Sequence, residues 1–374
     1  SNSVQYSGSM SMVFVQPSDE VAEIWHGRRL GVDKAASALN VDHSENIEAL
    51  SQILTDLVDG HDNVYYALGK DLFADGLIQS AIDECTTAPK QSKHAPASRH
   101  DIRPILHAMR LYKSAAELEV MQAAADIASA AHVRAMKYAH PGCNEFELEA
   151  EIKHEFAMRG AKHEAYHSIV GGGENACILH YTQNNQEIAD GDLVLIDAGC
   201  ELQGYASDIT RTFPVNGKFS APQAALYQLV LDAQLAALGV LKPGATISQA
   251  MSACVRVLVE GLVRLNVLSG SVEQNIEDET WRAFFMHGLG HWLGLDVHDV
   301  GIYKVDGQDR LLASNMVMTV EPGLYIPSSA NVPEIYKGIG IRIEDDIVIT
   351  KEGNSVLTQK VPKTIAQIEA LMQP

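Results

Sequence analysis

Three histidines, His287, His291 and His298, fall within the run HGLGHWLGLDVHD at positions 287–299. Histidine is both a common metal ligand and an acid–base group near neutral pH. His287 and His291 stand four apart, as in the HExxH of zinc peptidase helices, but position 288 is Gly rather than Glu. Gly288, Gly290 and Gly294 each disfavour a helix by about 1 kcal/mol relative to Ala. The run therefore reads as extended or looped chain, in which the three imidazoles need not share one ion.

Carboxylates in β-patterned segments widen the constellation. In LVLIDAGCELQGYASDITRTF (193–213) both ends read as strands, and a hairpin centred near Leu202–Gln203 would set Asp197 opposite Asp208. Opposed residues have Cβ atoms about 4.5–5.5 Å apart, and two like charges so placed destabilise a sheet unless a cation neutralises them. Glu321 ends the apolar run MVMTV, just before Pro322-Gly323. Glu344 lies in GIGIRIEDDIVIT (338–350), where a period of two puts Arg342, Glu344 and Asp346 on one face. Taken singly, Asp197 reads as a polar strand end and Glu344 as a salt-bridge partner of Arg342. Four such carboxylates with a histidine suit hard or borderline divalent ions better than a thiolate-lined zinc site. Two ions sharing two bridging carboxylates account for five ligands, and such pairs, about 3.5–4 Å apart, lower the pKa of a bridging water.

Folded elements must bring these residues together. The 374 residues suffice for two domains or one large α/β unit. Capping boxes at Ser114 with Glu117 and at Asn144 with Glu147 open two helices, the first ending near HPG (140–142) and the second at Gly160. Helices near 221–239 and from Thr246 to about Asn266 flank a second Pro-Gly, and Pro141 and Pro243 stand 102 positions apart. This repetition points to two pseudo-twofold halves with the site between them. Before them, MSMVFVQ (10–16) and VYYAL (64–68) read as strands and NIEALSQILTDL (46–57) as an amphipathic helix. The Pro-rich stretch 88–104 carries little periodicity. Residues 1–100 are thus expected as an N-terminal α/β domain, 101–113 as a linker and 114–374 as the catalytic domain. The GGG at 171–173 reads as a turn, since no G-x-G-x-x-G context surrounds it.

Composition narrows the function. A formal charge of −20, from 48 acidic and 28 basic residues, disfavours nucleic acid and anionic membranes as partners. Five cysteines without a CxxC pair fit a reducing compartment. No apolar run reaches the roughly 18–20 residues of a membrane span, and SNSVQYSGSMSMVF resembles no secretory leader. The expected location is cytoplasmic.

The blocks HGLGHWLGLDVHDVG, DLVLIDAGCELQGYASDITRTFPVNGKF, VEPGLYI and GIGIRIEDDIVIT resemble those of the pita-bread metallopeptidases, and most closely their aminopeptidase P group. The likeness continues through AEIWHGRRLG (22–31) and DIRPILHAMRLYKS (101–114), covering nearly the whole chain after its first dozen residues. It implies an α/β (α+β) fold: a pita-bread catalytic domain with pseudo-twofold halves, preceded by a smaller α/β domain that is shorter here than in the family. It implies that Asp197 binds one metal, that Asp208 and Glu344 bridge, and that His291 and Glu321 complete a second. His180, His287 and His298 are implied to face the substrate with catalytic roles, and Arg342 and Tyr325 to hold ligand carboxylates, Tyr325 beside the substrate. The implied reaction is hydrolysis of the Xaa–Pro bond in peptides with proline second, by a hydroxide held between two manganese ions, with Glu321 carrying the proton. A homo-oligomer is implied as well. The ligand set is shared with prolidase, an Xaa-Pro dipeptidase. Methionine aminopeptidase fits less well because of the N-terminal region, and non-catalytic relatives typically lack the ligands.

Overall fold

A computed structural model describes residues 9–373. The described residues divide into two compact units, 9–106 and 107–373. Among the described residues no helix is long and apolar enough to cross a membrane.

The first unit begins with β1 (Met12–Val15), α1 (Glu20–His26), α2 (Val32–Leu39) and β2 (His43–Asn46), and β1 and β2 pair in parallel. After α3 (Leu50–Val58) come β3 (Asn63–Tyr66), α4 (Leu72–Thr87) and β4 (Ser98–Asp101), with β3 and β4 again parallel. Parallel strands need a crossover, and the intervening helices provide it. Val58, Ala81 and Cys85 form a small core, packed by Leu54, Val64 and Ala95. The helix expected over 46–57 starts only at Leu50, because 43–46 is drawn into strand pairing and Asn46 turns the chain by accepting from Glu48 N at 3.0 Å. The stretch expected as a linker at 101–113 is largely α5 (Arg103–Leu111). Asp101 starts that helix by accepting from Arg103 N at 2.9 Å while pairing with its guanidinium at 2.6 Å.

In the second unit α6 (Ala115–Tyr138) and α7 (Glu145–Met158) both open on capping boxes, at Ser114 and Asn144. They precede β5 (His163–Glu164), β6 (Ile169–Gly172), β7 (Leu193–Asp197), β8 (Cys200–Leu202), β9 (Tyr205–Ala206) and β10 (Thr210–Pro214). Glycines 171 and 172 of the GGG thus end strand β6, and Gly173 starts a 3₁₀ turn. The pattern recurs with α8 (Ala221–Val240), α9 (Ile247–Arg264) and α10 (Val272–Glu277), then β11 (Lys304–Val305) and β12 (Gln308–Asp309). The chain continues as β13 (Val317–Val320), β14 (Gly323–Ile326), β15 (Ile339–Arg342), β16 (Asp345–Ile349) and β17 (Asn354–Val356), and α11 (Ile365–Met372) follows. Antiparallel sheets β10-β7-β6 and β13-β16-β17 follow the two helix pairs. One apolar core joins them, with Ala128 and Ala131 of α6, Ile196 of β7, Val230 of α8, Leu258 of α9 and Ile347 of β16 all buried in it.

The hairpin around Leu202–Gln203 differs from the expectation. Asp197 lies opposite Thr210, not opposite Asp208. Strands β8 and β9 make their own short hairpin, whose turn residues Gln203 and Gly204 have φ of 51° and 87°, the geometry of a type I′ turn. The chain leaves the β7 ladder at Gly199, where an added Cβ would lie 1.7 Å from the Ser207 carbonyl oxygen. The turn lies one residue later than expected, at Gln203–Gly204, and a one-residue shift of the centre moves the residue facing Asp197 by two, from Asp208 to Thr210. Because that close approach is backbone on backbone, Gly199→Ala should lower stability by about 2–3 kcal/mol or more. Urea unfolding measures this, and an unchanged midpoint would show that the bend does not depend on the glycine.

Candidate active site

Each candidate side chain is delivered by the end of a strand or by chain bonded to one. Asp197 is the last residue of β7, and Asp208 lies two residues before β10. Glu344 occupies the break between β15 and β16, with its N–H donating to Thr210 O at 3.1 Å and Thr210 Oγ1 donating to its Oε2 at 2.6 Å. The expected continuous strand over 338–350 is thus interrupted at 343–344, where Ile343 N donates to Pro322 O and Glu344 N to Thr210 O of β10. Glu321 follows β13. The histidine run is not helical: Trp292 bridges Met318, Thr319 N donates to His291 O, and Glu321 N donates to Leu289 O, so 289–292 runs alongside β13. Gly290 permits this, since a Cβ there would lie 2.0 Å from Thr319 O. Thr319 Oγ1 then accepts from His291 N and donates to Glu321 Oε1, both at 3.1 Å.

The result is one cavity of about 490 Å³, lined by Asp197, Asp208, His291, Glu321 and Glu344 together with His180, His287, His298 and Arg342. Single ligand atoms of Asp208, His291 and Glu344 all lie within 4.8 Å of one another. His291 Nδ1 donates to Trp292 O at 3.0 Å, which leaves Nε2 facing Asp208 Oδ2 at 3.4 Å and Glu321 Oε1 at 3.5 Å. Such a carbonyl partner fixes the tautomer in which Nε2 can bind a metal.

Crowded carboxylates, buried at Asp208 and Glu344 and half-buried at Asp197 and Glu321, repel one another. Burial, reinforced by the neighbouring Asp208, Glu321 and Asp197 charges, lifts Glu344 well above the usual carboxylate range. Burial, with Asp208 adding to it and His291 opposing, raises Glu321 to about 7. Asp197 is raised by burial too, against the pull of Arg342. His291 moves the other way from a buried imidazole: burial lowers it, but the bond to Asp208 and the charges of Asp208 and Glu321 bring it to about 9. His287 is lowered to about 4 by burial and by Arg342, and His298 is lowered by burial and by His291.

Arg342 pairs with Asp197 at 2.6 Å rather than with Glu344, the near-sequence partner expected, because its guanidinium crosses to the end of β7. It also donates to Tyr325 Oη at 2.9 Å, and Tyr325 Oη meets His287 Nε2 at 2.8 Å. His287 Nδ1 faces Gly288 O at 2.9 Å, so both of its ring nitrogens are engaged within the protein. His298 makes no hydrogen bond to the described residues, and its ring meets the His291 ring edge-on at 4.4 Å.

Sequence reasoning missed Tyr166, whose hydroxyl lies 2.6 Å from Asp197 Oδ1 and 2.5 Å from Asp208 Oδ1. It also missed His167 and Thr182 on the cavity wall, and the apolar Ile169, Leu179 and Val297. No local pattern in EAYHSIVGGG marks Tyr166. Its role depends on strands brought together from far along the chain.

Comparison with known proteins accords with this geometry. Metallopeptidase family M24 matches residues 119–351, and the aminopeptidase P N-terminal domain matches residues 3–65. The Xaa-Pro aminopeptidase of Escherichia coli is 51% identical, over 97% of this chain and 82% of the relative. A solved glutamate-to-alanine variant of Escherichia coli aminopeptidase P in complex with substrate superposes with a TM-score of 0.94 at 51% identity, over 96% of this chain and 82% of that one. A zinc-substituted form of that enzyme in complex with product gives 0.94 at 52% identity, with the same coverage. The fold, the cavity and these matches together place the chain in metallopeptidase family M24, among members that carry the aminopeptidase P N-terminal domain.

Proposed function

We propose that this metallopeptidase removes the first residue of peptides whose second residue is proline, using two divalent ions, with manganese the expected metal. The observation that carries the reading is four carboxylates and one imidazole converging in a cavity with apolar walls at Ile169, Leu179 and Val297. The donor set fits a pair of hard or borderline ions, because its mutual repulsion is what such ions relieve. The Xaa-Pro aminopeptidases among its relatives support the substrate class.

In this reading Asp197 would serve one ion, His291 and Glu321 would serve the other, and Asp208 and Glu344 would be shared between them. When bound, the ions supply Lewis-acid polarisation of the scissile carbonyl and an acidified water. The chain's own groups do the rest. Arg342 and Tyr166 hold Asp197 in its rotamer, and Thr210 and Thr319 do the same for Glu344 and Glu321. Glu321 takes the proton of the attacking water and passes it to the leaving proline nitrogen. His298 and His180 hydrogen-bond the substrate on either side of the scissile bond, His298 steadying the oxyanion. His287 reaches substrate only by exchanging its bond to Tyr325, so it also orients Tyr325 and, through it, Arg342. A tertiary Xaa–Pro amide has no N–H, and apolar walls with imidazoles accept the ring where an ordinary peptidase would seek that donor. The same reading takes the protein to work as a homo-oligomer in the cytoplasm, in keeping with five free cysteines.

With manganese loaded, an X-Pro-Y tripeptide should be hydrolysed and an X-Pro dipeptide left intact. The reverse preference would identify a dipeptidase, and no cleavage of either would sink the enzyme reading. Asp197→Ala and Glu344→Ala should each lower kcat by more than about 100-fold, the upper range for groups one shell further out, with circular dichroism unchanged. Anomalous scattering at the manganese edge should show two ions.

Proton–metal competition gives a separate test. His291 is raised from 6.5 to about 9 and Glu321 from 4.5 to about 7 in the metal-free fold. The stability these groups contribute is full below the unfolded values and is lost as pH rises through the folded ones. Metal binds the deprotonated forms, so its effect runs oppositely. The manganese-induced rise in Tm should therefore grow from about pH 6 to about pH 9 in thermal scans. A rise independent of pH would rule out competition at these two residues.

A further inference from the structure

Among the described residues the His298 ring accepts or donates no hydrogen bond and meets the His291 ring edge-on, so its place depends on its backbone. That backbone is pinned from outside the cavity by buried charges with no part in the chemistry proposed above. Asp299, the next residue, has a side chain 1% exposed, and the Lys113 side chain is 2% exposed. Lys113 Nζ donates to Asp299 Oδ2 at 3.2 Å. Asp299 Oδ1 accepts from Val300 N at 2.9 Å and from the Arg110 guanidinium, which also reaches Asp296 at 2.7 Å. Asp299 N donates to Trp292 O at 2.9 Å, one residue from His291.

The packing leaves the pair no room to move. A Cβ at Gly294 would lie 2.2 Å from Asp299 Oδ2 and 3.0 Å from Lys113 Cε, so the bare backbone of 294 rests on the ion pair. Lys113 is itself fixed, its N–H donating to Asn315 O at 2.9 Å just ahead of β13. Gly294 O accepts from Ala206 N of β9 at 2.8 Å, which ties the other end of the segment to the Asp208 side of the cavity. A buried ion pair is a weak source of net stability compared with an apolar pair of similar size, and its best-attested use is to fix one arrangement over others.

We propose that Lys113 and Asp299 are positioning residues, whose buried ion pair fixes segment 293–301 so that the His298 imidazole faces the reacting carbonyl. This rests on the Xaa-Pro reading above, in which His298 contacts substrate. Lys113 touches neither substrate nor ligands, so its effect passes through His298.

A double-mutant cycle tests this with the full-length, manganese-loaded protein: wild type, Lys113→Met, His298→Ala and the double variant, on an X-Pro-Y peptide. Lys113→Met should lower kcat about 10- to 100-fold, the cost of a displacement of about 1 Å at a reacting centre, with KM little changed and two ions still bound by elemental analysis. In the His298→Ala background the same change should cost no more than about twofold. Asp299→Asn, which keeps the shape and the Val300 bond, should repeat the pattern. A crystal structure of Lys113→Met should show the His298 ring displaced while His291 and the four carboxylates stay in place. Wild-type rates in Lys113→Met, an equal loss with and without His298, or loss of metal would each overturn the proposal. So would failure of both variants to fold, which would make the pair a requirement of folding alone. If the wild type cleaves no Xaa-Pro peptide, the functional reading fails, and the His298 displacement alone decides the positioning claim.

Discussion

Asp197, Asp208, Glu321 and Glu344 repel one another in a pocket too dry to screen them, and much of the surrounding structure contains that repulsion. Burial alone would neutralise carboxylates by protonation. Arg342 offsets one charge directly at Asp197, and His291 stands between Asp208 and Glu321 as a second cation in the metal-free fold. Two cations do not balance four carboxylates, and burial together with the remaining repulsion raises Glu321 and Glu344. A cation entering such a pocket would displace protons, so affinity and acidity are two faces of one constraint.

Behind the pocket a second ionic network fixes the backbone that bears its carboxylates. Arg211 is fully buried and donates to Glu344 O at 2.5 Å and Thr210 O at 2.9 Å, with a salt bridge to Asp345 at 2.7 Å. Asp345 also accepts from Lys363 at 2.6 Å and Thr358 at 2.7 Å, and the Arg211 and Lys363 charges lower its pKa against the effect of burial. The break in the β15–β16 strand would leave carbonyls without ladder partners; Arg211 satisfies that of Glu344, and Gln234 Nε2 donates to that of Ile343 at 3.2 Å. The Glu344 side chain can then point into the cavity while its backbone is held from behind.

What could be read from sequence followed the range of the interactions. The capping boxes at Ser114 and Asn144 depend on residues three apart and were legible in full. Asp197 and Glu321 were legible as charges ending apolar runs, and the glycines of HGLGH ruled out a helix. The pairing of Asp197 with Thr210 was not, because the turn sits at Gln203–Gly204, one residue beyond the expected centre, and each residue of shift moves the facing partner by two. The partner of Arg342 was not either: the nearest carboxylate in sequence was Glu344, and the one in reach was Asp197, on a strand some 145 residues earlier. Tyr166, Arg211 and Lys113 have the same character, as single residues whose partners are assembled only by the tertiary fold.

The β8–β9 excursion has a consequence for how such sites diversify. The register of β7 against β10 is set by Asp197 facing Thr210, and the turn at Gln203–Gly204 lies outside that ladder. Residues inserted at the turn lengthen the hairpin without sliding the strands. The number of residues separating the two aspartates is thus a free variable for descent with modification, while the two-residue step from Asp208 to Thr210 is not. Distant relatives are better sought by that short step than by the longer interval.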